Sequence, residues 1–207
     1  MFIVIPKLLI NIQIENEILI DEKNSNMFIN THPPQEPSFY YEDTTGTTVY
    51  EDTTGDALDV YVSGSYAYVA DDASGLAVIN ISDPTNPGAP DYEVTTASAH
   101  GVYVSGNYAY MAATGSGMAV IDISDPTNPG TPVYKDTNGF ALSVYVSGGY
   151  AYLADGAAHL AIIGISDPTN PGPPVYKLST EYPNNVYVSG DYAYSPPTRL
   201  DMQVVFM

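Results

Sequence analysis

Seven side chains of this chain could do acid–base or metal chemistry: Asp59, Asp71, Asp72, His100, Asp155, His159 and Glu181. An imidazole beside one or two carboxylates is what a general acid–base pair or a divalent-metal site requires, and a Ser/His/Asp relay could be drawn from the same set. No catalytic string accompanies them, since the sequence holds no G-x-S-x-G, H-E-x-x-H or Gly-rich phosphate loop. Three further aspartates, Asp83, Asp125 and Asp167, recur at a step of 42 residues. Read as calcium ligands they fall short, because each copy offers one carboxylate where a site wants several converging. The chemistry open to these residues therefore depends on the elements that hold them.

Those elements are written in a repeat. The string ISDPTNPG occurs at Ile81–Gly88, Ile123–Gly130 and Ile165–Gly172, and the VYVSG glycines Gly64, Gly106, Gly148 and Gly190 keep the same 42-residue step. A catalytic site is built once from unlike residues, whereas a copied string serves an architecture of identical units. Each unit carries segments such as LDVYVSG, YAYVA and GLAVINIS, rich in Val, Ile and Tyr and without a helical rhythm, so they read as strands A, B and C. The Gly-x pair between A and B predicts a two-residue hairpin of type II′ or I′. Both faces of VYVSGSYAYVA are apolar, which requires each sheet to be covered on two sides, as in blades stacked about an axis. Ala67, Ala109, Ala151 and Ala193 would let neighbouring blades approach closely.

SDPTNPG reads as the corner from strand C to strand D. Its Asp accepts a bond from the amide two residues on, the first Pro presets φ, and the second holds Asn extended. Of the 19 tyrosines, sixteen fall in four columns headed by Tyr50, Tyr61, Tyr66 and Tyr68, which makes them architectural. Only Tyr40, Tyr41 and Tyr182 lie outside, so a sugar-stacking platform is the lesser reading.

The 207 residues carry 24 Asp plus Glu against 5 Lys plus Arg, a formal charge of −19, which leaves no basic patch for nucleic acid or an anionic membrane. With no Cys there is no disulfide framework or thiolate site. The opening MFIVIPKLLINIQIENEILI is broken by Pro6, Lys7, Asn11 and Gln13 and then by Glu15 and Glu17, so neither a signal peptide nor a membrane span is expected; NIQIENEILI alternates as a strand would.

The unit ALDVYVSGSYAYVADDASGLAVINISDPTNPG resembles the LVIVD repeat of prokaryotic extracellular and cell-surface proteins, and the resemblance covers Tyr50 to Tyr194. It implies a β-propeller, an extracellular or cell-surface location, and no catalytic residue to carry over. The expected fold is all-β: a propeller-type array of four-stranded antiparallel blades with a 42-residue period, numbering about 3.5 to 4. Residues 1–38 form a non-repeat segment and 39–207 the repeat domain, with units at 50–91, 92–133, 134–175 and a partial 176–207. A D-type strand around YYEDTTG could complete the last blade; a closed ring, a half-ring that dimerises and an open array all fit, with the latter two favoured.

Up-and-down order places the invariant A–B and C–D turns on one face and the variable B–C and D–A loops, with the seven candidate residues, on the other. The expected function is a non-catalytic binding or structural scaffold that presents this face to a protein or cell-surface polymer, or to another copy of itself, with no cofactor, no metal and no membrane insertion. The alternatives are a propeller-fold hydrolase or lyase with its site on the same face, and a gene fragment without independent function.

Overall fold

A computed structural model describes residues 49–179 and 182–195 in full and, elsewhere, only the backbones of short strands. Among the described residues ahead of the repeats, three antiparallel strand pairs form: β1 (Ile3–Ile5) with β2 (Leu8–Ile10), β3 (Ile18–Asp21) with β4 (Asn26–Ile29), and β5 (Ser38–Glu42) with β6 (Thr48–Asp52). The repeats then build four antiparallel sheets in succession, each joined in chain order. The first holds β7 (Asp59–Ser63), β8 (Tyr66–Ala70), β9 (Leu76–Asn80) and β10 (Asp91–Glu93). The second holds β11 (Ala99–Ser105), β12 (Tyr108–Ala113), β13 (Gly117–Asp122) and β14 (Val133–Lys135). The third holds β15 (Ser143–Ser147), β16 (Tyr150–Ala154), β17 (Leu160–Gly164) and β18 (Val175–Lys177). The fourth has three strands, β19 (Tyr187–Ser189), β20 (Tyr192–Ser195) and β21 (Gln203–Phe206). This is a propeller-type array of about four blades, in which strands A to D of the sequence are successive strands of one sheet.

The turn chemistry follows the residues. Gly64, Gly106, Gly148 and Gly190 all sit near φ +60° at the first corner of the A–B hairpin. Ser65, Asn107 and Asp191 keep negative φ after them, as a II′ turn requires, whereas Gly149 follows at φ +80° and makes the third hairpin type I′. In the C–D corner the Asp83, Asp125 and Asp167 carboxylates each accept the amide two residues on, at 2.9, 3.1 and 3.0 Å. The same oxygen also accepts the Thr hydroxyl, at 2.8, 2.8 and 2.7 Å. These Thr bonds hold the Asp83 and Asp167 carboxyls below the usual carboxylate range. The corner then closes on the last residue of strand C, where Gly88, Gly130 and Gly172 donate to the carbonyls of Asn80, Asp122 and Gly164.

Each blade packs two unlike apolar faces. Tyr68, Leu76 and Val78 of the first sheet meet Val102, Val104, Ala109 and Ile121 of the second. Tyr110, Met118 and Val120 of the second meet Val144, Val146, Ala151 and Ile163 of the third. Tyr152 and Leu160 of the third meet Val186, Val188 and Ala193 of the fourth. A tyrosine face thus always packs forward onto a Val/Ala face, and the buried alanines set the close approach. The register is copied with the sequence: Ala67 faces Ile79, Ala109 faces Ile121, Ala151 faces Ile163, and Ala193 faces Val205.

Of the three arrangements open to the ends, the described strands do not show the closed ring: the fourth sheet holds β19, β20 and β21, and β5 pairs with β6, with Tyr40 opposite Tyr50. The tandem YEDTTG copies lie nine residues apart, so each offers the other an antiparallel partner at the small entropic cost of a short loop, against a closure spanning nearly the whole chain.

Candidate functional site

The B–C and D–A loops meet on one face, as the strand order requires. In the first and third blades a buried aspartate ties them together. Asp71 accepts the Thr53 hydroxyl at 2.6 Å and the Gly55 amide at 2.9 Å. Asp155, one repeat-pair later, accepts the Thr137 hydroxyl at 2.7 Å and the Gly139 amide at 3.0 Å. Both carboxylates are fully buried, and burial raises that of Asp155 despite these bonds. A Cβ at Gly55 or Gly139 would run into the carbonyl of the aspartate it serves. In the second blade the equivalent pair is Ala113 and Ala97, and Thr95 turns its hydroxyl to the Ala97 carbonyl at 2.6 Å instead. The Asp and Gly therefore come and go together within one chain.

A second tie comes from the D-strand tyrosines. The hydroxyls of Tyr92, Tyr134 and Tyr176 accept the amides of Thr54, Thr96 and Asn138 at 3.0, 2.9 and 2.9 Å. Each joins the outer strand of one blade to the loop that opens the same blade, which gives the column its architectural role.

Asp59 lies half-buried where the first and second blades meet. Its carboxylate accepts the Val60 amide at 3.0 Å and the Val102 amide of β11 at 2.9 Å. Burial nonetheless pushes its carboxyl up to about 6. The inner strands also stack Tyr61, Tyr103, Tyr145 and Tyr187 into a ladder with ring centroids 4.7, 4.9 and 5.3 Å apart. Burial, and then the neighbouring Tyr61 and Tyr145, push the Tyr103 hydroxyl far up its titration range.

Of the remaining candidates, Asp72 is half-buried at φ +41°, and its carbonyl accepts the amide of Ala99, the neighbour of His100. Glu181 lies outside the described residues. Among the described residues no group of three or more His, Asp or Glu side chains stands where it could hold a metal ion. The carboxylates of Asp59, Asp71 and Asp155 are committed to amides and hydroxyls of the chain itself, in three separate places.

His159 is different. It occupies the column of Gly75 and Gly117, and like them has a positive φ, +66° with ψ −126°. A Cβ at Gly75 or Gly117 would collide with the carbonyl of Glu93 or Lys135 on the adjacent D strand. The third blade thus holds a side chain where its siblings tolerate none, at a cost of about 1–3 kcal/mol for such a backbone. The ring is fixed by Nδ1 against the Ser179 hydroxyl at 3.1 Å and by the Tyr182 ring, 5.9 Å between centroids. Gly156, three residues before His159, lies against the backbone and Cβ of Phe140. Phe140, Leu178 and Tyr182 are exposed by 65, 81 and 66%, and of these Tyr182 lies beside the imidazole. Sequence reasoning missed Phe140 and Leu178; Phe140 and Tyr182 stand in the column of Asp56 and Ser98, and Leu178 in that of Asp52, Val94 and Asp136.

Comparison with known proteins agrees with this architecture. The model of the LVIVD repeat matches three consecutive segments, residues 54–89, 97–133 and 138–173, more than half of the chain. No curated protein matches the sequence. Among solved structures, the computationally designed Ika8 protein superposes with a TM-score of 0.59 at 7% identity, over 82% of this chain and 55% of its own. A quinonprotein alcohol dehydrogenase-like protein of Bacteroides thetaiotaomicron gives 0.54 at 11%, over 93 and 51%. PorZ of Porphyromonas gingivalis, a bacterial surface component of the type-IX secretion system, gives 0.58 at 11%, over 100 and 32%. The chain thus spans a third to just over half the length of these structures, and at such identities the likeness concerns the fold.

Proposed function

The chain belongs to the LVIVD repeat family, and from that premise we propose that it is a non-catalytic scaffold of the cell surface or extracellular space, which binds a protein or surface-polymer partner through its variable loops. The observation that carries the reading is exposed Tyr182 set against the ring of a strained His159, with exposed Phe140 beside Gly156 of the same loop. Exposed aromatics at the loop end of a rigid array supply contact area at small entropic cost, and backbone strain persists where a function retains it. The surface location of PorZ is in keeping with this reading, as is a charge of −19, which disfavours nucleic acid and anionic lipid.

The test is a binding screen of the immobilised chain against arrayed bacterial surface polysaccharides and purified envelope proteins. A ligand found there should lose at least tenfold in affinity to the Phe140→Ser/Tyr182→Ser variant. Binding unchanged in that variant would move the site elsewhere. Turnover of ester or glycoside reporter substrates that His159→Ala abolishes would replace the scaffold by an enzyme.

A further inference from the structure

Three rungs of the inner tyrosine ladder stand closer than the other tyrosines of the blades. Tyr61 of β7 and Tyr103 of β11 have ring centroids 4.7 Å apart with their planes at 49°, and Tyr103 and Tyr145 of β15 have them 4.9 Å apart at 54°. Within the first and third blades, Tyr66 and Tyr68 are 6.4 Å apart and Tyr150 and Tyr152 are 6.5 Å apart. The Tyr103 hydroxyl also hydrogen-bonds those of Tyr61 and Tyr145. Neighbouring rings thus meet by the edges that carry oxygen, with the ortho carbons beside them. Two phenols joined through ortho carbons have centroids one carbon–carbon bond plus two ring radii apart, planes twisted and hydroxyls side by side. Both pairs stand only slightly wider than that. All three rings are half-buried, so each keeps an edge toward solvent while its packing holds it against the next rung. Each rung belongs to a different blade, and because the chain has no Cys no disulfide can staple one blade to another.

We propose that this column is a site of oxidative cross-linking, where a one-electron oxidant of the haem peroxidase class, fed by hydrogen peroxide, joins Tyr103 to Tyr61 or to Tyr145 through their ortho carbons. Each phenol gives up one electron and its hydroxyl proton, which leaves a phenoxyl radical with spin on the ortho carbons. Two such radicals pair to form one carbon–carbon bond, and each ring then moves its ortho hydrogen to oxygen and is a phenol again. The sum is two electrons and two protons lost. Hydrogen peroxide takes up both, its O–O bond breaks, and two waters leave. The link ties adjacent blades that otherwise hold by nearest-neighbour contact, and it closes a loop of one repeat in the unfolded chain, which stabilises as a disulfide does.

The test treats the full chain, at high dilution, with a haem peroxidase and hydrogen peroxide. The blue fluorescence of dityrosine should appear in chains that still run as monomers on a denaturing gel, and their mass should fall by that of two hydrogens. Mass spectrometry of a digest should find Tyr103 joined to Tyr61 or Tyr145, and the linked chain should melt at a higher temperature. Tyr103→Phe keeps the ring and loses the phenol, so it should abolish these links and most of the fluorescence with circular dichroism unchanged. Tyr61→Phe should direct the link to Tyr145, and Tyr66→Phe, outside the ladder, should leave both links in place. Absence of dityrosine from the wild-type chain under conditions that couple free tyrosine overturns the proposal. So do links found only between chains, links through other tyrosines instead, or undiminished monomer fluorescence in Tyr103→Phe.

Discussion

At the scale of the residue, an aspartate in this chain is defined by what its two oxygens accept. Asp125 accepts an amide and a hydroxyl within its own turn, so Asp125→Ala should cost about 0.5–1.5 kcal/mol in a denaturant titration. A calcium-dependent shift of the melting midpoint that this change abolishes would show a ligand instead of a corner. Asp59 accepts amides on two blades, and its folded carboxyl stands at about 6 against an ordinary 3.8. Between those values the unfolded chain has released its proton while the folded chain still holds it. Stability therefore falls as pH rises from about 4 to about 6, by up to about 3 kcal/mol. Burial shifts Asp155 in the same sense, whereas Asp83 and Asp167, held low, act only at more acid pH and in the opposite sense. Asp59→Asn should flatten the slope between about pH 4 and 6, and the substitution has a precedent in its own column, where Asn185 accepts the Val186 amide at 2.8 Å. An unaltered slope would assign it to other groups. His159→Gly should raise stability by about 1 kcal/mol by relieving the backbone while removing the imidazole from beside Tyr182. A lower midpoint would mean that the Ser179 and Tyr182 contacts outweigh the strain.

At the scale of the element, the copied residues were readable and the varied ones were not. Gly64-Ser65 and SDPTNPG declared their turns because each position has a local job that does not depend on the neighbouring blade. The loop aspartates did not, since whether Asp71 faces solvent or is buried depends on Thr53 and Gly55, sixteen and more residues away. As polar side chains in variable loops, Asp71 and Asp155 look like ligands in the sequence, while the structure makes them fasteners between loops. Comparing columns recovers part of this, for Gly55 with Asp71, Gly139 with Asp155, and Ala97 with Ala113 vary as pairs. The pairing predicts a cycle. Ala113→Asp alone should destabilise by roughly 1–3 kcal/mol, because a carboxylate enters a buried site whose loop cannot bring its amide close. Adding Ala97→Gly should return most of that loss, since it removes the Cβ that the other blades exclude. Additive losses in the double variant would dissociate the two columns.

At the scale of the whole molecule, the number of blades followed from the period, but the ends did not. A strand with D-type residues has no preference in its sequence for the last sheet over a partner nine residues away; proximity decides, and β6 takes β5. That places Val49 against the Val/Ala face of the first blade, while Thr53 serves Asp71 of the same blade. Removing residues 1–53 should therefore uncover Val60, Ala67 and Val69 and strip a partner from a buried carboxylate, an exposure that soluble proteins avoid. The damage belongs at the start of the array, not at its end. Hydrogen exchange should speed in β7 to β9 of the truncated chain while β15 to β17 keep their protection, and Val49→Asp should reproduce the pattern in milder form, at about 1–3 kcal/mol. Loss of protection confined to β19 and β20 would instead mean that the N-terminal strand covers the fourth sheet. Loss across all four sheets at once would mean that the blades do not open independently, as a one-dimensional stack of nearest-neighbour interfaces should.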